Sequence, residues 1–119
     1  MYEEWKPIYT ALVCDIMDEL GHRDQAFEHT IRPTMADSWS AGPAVTLDAY
    51  ARSEPVDDPY EHIFAAYAQV SPGDVFVIAT NGEMRAGLWG ELLSTAAAAR
   101  GVNALSLIHI LTLPTICSV

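Results

Sequence analysis

The chain has 119 residues, half of them hydrophobic, which fits one domain with a single modest core and excludes a disordered chain. Its 6 basic and 16 acidic residues give a formal net charge of −10, a surface that repels phosphate backbones and argues against direct nucleic-acid binding. The longest apolar stretch, residues 104–113, contains His109 and falls well short of the roughly 20 residues that cross a bilayer.

The opening Met1-Tyr2-Glu3-Glu4 lacks the positive and apolar regions of a secretion signal, so a cytoplasmic location is expected. Thr10 is placed to cap a helix that runs to Leu20, with Gly21 as its stop signal. Val13, Ile16, Met17 and Leu20 recur at i, i+3, i+4 and i+7, so they are expected to face a core. Cys14 on this helix reads as a small buried hydrophobe, and with Cys117 it matches no zinc or redox spacing. Residues 22–40 are polar, interrupted by Pro33, and read as loop.

Gly42-Pro43 introduces a β-branched and aromatic stretch, residues 44–50, that predicts a strand. The acidic, proline-containing residues 52–59 read as a surface loop. Asp58-Pro59 can start a second helix, whose buried face is expected to hold Ile63, Phe64, Tyr67 and Val70. After the turn at residues 71–74, the continuously apolar residues 75–79 predict a central strand buried on both faces. Asn81-Gly82 marks the next loop, and a third helix is expected from Gly90 to Arg100, ended by Gly101. Helices alternating with strands predict an α/β domain with parallel pairing.

Isolated candidates for chemistry are weak. His22 and His29 lie seven apart in a polar loop, which is not a metal-ligand spacing, and His62 beside Glu61 reads as a surface histidine. Asp57-Asp58 reads as a solvated loop and helix cap before it reads as an acid/base pair. Asn81-Gly82-Glu83 reads as a plain turn. Trp39 and Trp89 suit a core or an interface, with Trp89 the better candidate for a functional position. No glycine-rich cofactor loop follows a strand.

Three stretches nevertheless form a pattern. The first is residues 10–21 (TALVCDIMDELG). The second is Ile31-Arg32-Pro33 followed by residues 41–46 (AGPAVT). The third runs from residues 72–75 (PGDV) through Asn81-Gly82 and residues 86–93 (AGLWGELL) to residues 97–102 (AAARGV). Over roughly residues 5–104 the chain resembles the front part of the RraA-like family. That family holds the regulator of ribonuclease E activity A and the metal-dependent 4-hydroxy-4-methyl-2-oxoglutarate aldolases. The resemblance implies a three-layer β/β/α swivelling domain, here incomplete at its C-terminus, that assembles as a homotrimer or hexamer.

For activity, the resemblance implies an aldolase or decarboxylase that uses Mg²⁺ or Mn²⁺ to cleave small 2-oxo acids, oxaloacetate among them, to pyruvate. Gly90, Glu91, Leu92 and Leu93 match the helix start whose backbone N–H groups hold the substrate carboxylate, which suits the partial positive charge there. Glu91 matches an acidic position that reaches the metal through water; taken alone, it reads as a residue complementing the helix dipole.

The resemblance then breaks. It requires arginine at position 112 to stabilise the enolate and aspartate at 113 to ligate the metal, where this chain has Thr112 and Leu113. Neither can replace a guanidinium fork or a carboxylate ligand, so the chain as given is expected to be inactive and to bind the metal poorly. Every charged residue also lies at or before Arg100. Residues 105–110 (LSLIHI) resemble a translated sequencing-adapter sequence, which makes residues 105–119 a non-native tail; the alternative is a genuine divergent C-terminus ending in a short apolar strand. A second functional class stays open as well, a non-catalytic regulator that binds a ribonuclease rather than its RNA.

Overall fold

The structure is a computed structural model that describes residues 3–27, 31–83, 85 and 87–108. Three helices and three strands follow a short 3-10 turn, Glu3–Trp5: α1 (Thr10–Glu19), β1 (Ala44–Asp48), α2 (Glu61–Gln69), β2 (Val75–Ala79), α3 (Glu91–Ala99) and β3 (Ala104–Ile108). The strands form one parallel sheet in the order β1-β2-β3, with Ala44 opposite Val75 and Val75 opposite Ala104. Parallel neighbours need crossover connections, and α2 and α3 supply them.

The core lies on one face of this sheet. Phe76 is fully buried in the central strand, within a cluster of Ala66, Tyr67, Ala97 and Val102. Val45, Leu47 and Leu105 of the sheet pack against it, as do Ile63, Val70 and Leu93. Alternation along the strands explains the selection, since Val45, Phe76 and Leu105 share one row and therefore one face. Small Ala97, with no exposed surface, lets α3 approach the sheet closely.

The opposite face departs from expectation. Val75, Val77 and Ala79 are half-buried rather than buried, and Ala44, Thr46 and Asp48 beside them are exposed. Among the described residues there is one sheet, and none of the core cluster comes from this second face.

Three helix expectations need correction. Tyr9, in extended conformation, occupies the N-cap of α1, and Thr10 is the first helical residue without a side-chain cap bond. The four α1 residues expected to face a core do not: Val13 and Met17 are half-buried, whereas Ile16 is 48% and Leu20 68% exposed. Periodicity reports an amphipathic helix, but no described element of this chain covers its apolar stripe. On α2, Phe64 is 58% exposed and packs against Tyr60 at 5.9 Å between centroids, and Ala66 takes the buried place beside Tyr67. The Asp58 carboxylate accepts a hydrogen bond from the Tyr60 N–H at 2.9 Å, so it steadies the turn before α2 rather than capping the helix itself.

The stop at Gly21 holds. Its φ of +85° suits glycine, and the His22 N–H reaches back to the Met17 carbonyl at 2.8 Å. β3 takes Leu105 to Ile108 from the stretch read as a non-native tail.

Candidate functional site

Parallel α/β sheets present their ligand-binding loops at the carboxyl ends of the strands. Here that edge gathers the segment after β1, the turn after β2 and the start of α3. Asn81 sits in the left-handed region with φ of +51°, and its amide donates to the Asp48 carboxylate and, at 3.0 Å, to the Ala49 carbonyl. The turn read from Asn81-Gly82 therefore also ties the ends of β1 and β2 together. Glu83 accepts from the Arg85 guanidinium at 2.8 and 3.1 Å and from its backbone N–H.

Gly90 is the N-cap of α3, extended at φ −155° and ψ −173°, and no side chain caps the N–H groups behind it. A Cβ on Gly90 would meet nothing within 4 Å, and the extended backbone there suits any residue. Glu91 and Leu92 are exposed, Leu92 at 87%. Leu93 points inward, packs on the core, and accepts the Tyr67 hydroxyl at its carbonyl. Gly90, Glu91, Leu92 and Leu93 thus come together as an uncapped helix N-terminus with an acidic residue in its first turn.

Trp89 and Ser94 fix the angle of that start. The Trp89 indole N–H donates to the Ser94 hydroxyl at 2.9 Å, and Ser94 in turn donates to the Gly90 carbonyl at 3.0 Å. The Trp89 ring stacks on Tyr67 at 6.1 Å and meets Phe76 edge-on at 5.6 Å. Trp89 is therefore a core residue that positions the site, which joins two readings the sequence kept apart. Ser94 escaped sequence reasoning, because a helical serine four residues after a glycine carries no distinctive signal.

Burial raises the pKa of Tyr67, while the nearby Arg100 guanidinium opposes the shift. Arg100 also donates to the Tyr67 carbonyl at 2.5 Å.

The remaining candidates stay apart from this place. His62, Glu61, Asp57, Asp58 and His22 are exposed, and Trp39 is 39% exposed in its loop. Cys14 is half-buried. His29, Thr112, Leu113 and Cys117 lie outside the described residues. Among the described residues no three His, Cys, Asp or Glu side chains come together to hold a metal ion. At the start of α3 the one acidic side chain is Glu91, and a single carboxylate by itself makes no metal site. No described helix is long and apolar enough to cross a membrane.

Comparisons with known proteins bear on the family and the fold. The profile of a family described as RraA-like (Aldolase/RraA) matches residues 10–106. A solved structure described as one of the novel cellulases from microbes associated with the gut ecosystem superposes with a TM-score of 0.75 at 23% identity. It is matched over 85% of this chain and 45% of its own, a likeness of fold alone. An uncharacterized protein from Pseudomonas syringae pv. tomato str. DC3000 superposes with a TM-score of 0.66 at 25% identity, over 88% of this chain and 45% of its own. The chain thus spans under half the length of either solved relative.

Proposed function

Because this chain belongs to the RraA-like family, we propose that it carries the substrate-carboxylate cradle of a lyase acting on small 2-oxo acids. The observation that supports this reading is the uncapped start of α3, where Gly90, Glu91 and Leu92 are exposed. A carboxylate accepts hydrogen bonds from the backbone N–H groups of Glu91, Leu92 and Leu93, and the helix dipole favours its charge.

Cleaving a 2-oxo acid leaves an enolate, which needs a fixed positive group to stabilise it. That group and the direct metal ligand belong at positions 112 and 113, where this chain has Thr112 and Leu113. The 119-residue chain accordingly holds substrate without turning it over, and residues 105–119 stand in place of the native continuation. The parent enzyme acts in the cytoplasm as a homotrimer or hexamer.

The test compares two proteins. The chain as given should release no pyruvate from oxaloacetate above a magnesium-only control. A restored chain, with residues after Ala104 replaced by Val-Val-Ile-Asp-Gly-Ala-Val-Arg-Asp and a family-like remainder, should oligomerise and exceed that control. Chelator-sensitive turnover by the unrestored chain would overturn the assignment of the site. The net charge of −10 favours one other reading, contact with a basic segment of a ribonuclease. A folded, metal-bound restored oligomer without turnover would support it.

A further inference from the structure

We propose that the cleft beside the α3 start binds a small monocarboxylate carrying a short apolar tail, with Arg52 as its anchor. The inference goes beyond the 2-oxo acid reading and stands without it. The cleft has a volume of about 400 Å³ and lies where the chain leaves β1 and β2, bounded by residues 49–52 on one side and by Glu83, Arg85 and Leu88 on the other. That volume suits a small ligand, and the carboxyl end of a parallel sheet is where such ligands bind.

Its two arginines are not equivalent. Arg85 is engaged by Glu83 through two hydrogen bonds, which neutralises its charge. Arg52 instead lies over the Tyr50 ring, its guanidinium carbon 5.5 Å from the centroid, and one of its nitrogens donates to the Tyr50 hydroxyl at 3.1 Å. Among the described residues no carboxylate forms an ion pair with Arg52, although Glu54 and Asp57 share its loop. The stacked ring and the phenol hold the guanidinium plane while its other N–H donors stay available.

Charge and shape then select the ligand. With Glu83 paired to Arg85, Arg52 is the lining guanidinium that no described carboxylate pairs with. One negative charge balances it, and a planar carboxylate matches the guanidinium fork. Ala49, Ala51 and Leu88 add apolar wall that suits carbon rather than polar atoms. A phosphate dianion would need a second cation that Glu83 has already claimed.

The test is a titration of the isotope-labelled 119-residue chain with butyrate, read from its amide shifts. Butyrate should move Ala49, Ala51 and Leu88 with a Kd on the order of 1 mM. Arg52→Ala should weaken binding at least ten-fold, and Arg52→Lys should fall between, because an ammonium lacks the planar fork. Arg52→Gln is measured alongside, so that a folding defect in one variant does not decide the result. Absence of butyrate shifts would overturn the proposal. So would equal binding of neutral butyramide, tighter binding of inorganic phosphate, or butyrate binding unchanged in both Arg52→Ala and Arg52→Gln.

Discussion

The Tyr67 hydroxyl donates to the main-chain carbonyl of Leu93, fastening α2 to the first turn of α3. The same ring touches Phe76 at 5.1 Å and Trp89 at 6.1 Å. One residue thus couples the core to the helix start proposed to hold a carboxylate. Tyr67→Phe keeps the ring and removes the donor, so it should cost about 1 kcal/mol in urea unfolding.

Tyr67 also gives stability a pH dependence. Burial raises its pKa above the ordinary 10.0, with Arg100 opposing, so the folded chain holds the phenol proton more tightly than the unfolded chain. That contribution is complete below pH 10 and is lost as pH rises through the higher folded value. Unfolding curves from pH 9 to 11 should show wild type losing more stability than Tyr67→Phe. Parallel curves would mean that the phenol titrates alike in both states.

Two glycines should respond unequally to alanine. A Cβ at Gly42 would sit 2.0 Å from the Gly73 carbonyl oxygen, which is backbone and cannot swing aside. Gly42→Ala should therefore cost at least about 2 kcal/mol and loosen the start of the β1–β2 pair. Gly90→Ala meets open space and should leave the denaturation midpoint nearly unchanged.

The exposed stripe of α1 sets a further expectation. Ile16→Ser and Leu20→Ser should each change stability by no more than about 0.5 kcal/mol, since both side chains already face water. A loss above about 2 kcal/mol in either would show that this face is covered in solution.

In the restored chain, Glu91→Ala should lower kcat/KM for oxaloacetate about ten-fold, the scale for a residue acting through water. Alanine in place of the restored arginine should nearly abolish turnover. Steady-state pyruvate release measures both; equal activity of Glu91→Ala and its parent would reduce Glu91 to a dipole-complementing residue.

Legibility from sequence followed the physics of each element. Residues 75–79 are unbroken apolar sequence, β-branched or aromatic at every position but Ala79, and the strand has those bounds. β1 was read two residues too long because Ala49 and Tyr50 suit a strand, whereas regular pairing ends opposite Ala79. Helix positions were legible but helix faces were not: Phe64 and Leu20 look like core residues, and burial depends on partners that periodicity does not name. The helix start at Gly90 was readable from a motif. The Arg52–Tyr50 cleft was not, since its walls meet only once β1 and β2 lie side by side. The pairing of β3 needs only apolar residues of β-compatible shape, so its formation says nothing of where residues 105–108 came from.

The all-parallel sheet also sets the order in which this chain can fold. Val45 finds its partner only at Phe76, and Phe76 finds its second only at Leu105, so among the described residues no strand pair forms through a local hairpin. Each pairing first requires closure of a loop containing a whole helix, an entropic cost that slows folding relative to a helical bundle of similar size. During synthesis β1 has no strand to pair with for a time on the order of seconds, until β2 is made. Over that interval its hydrogen-bonding edges are open to any other extended chain.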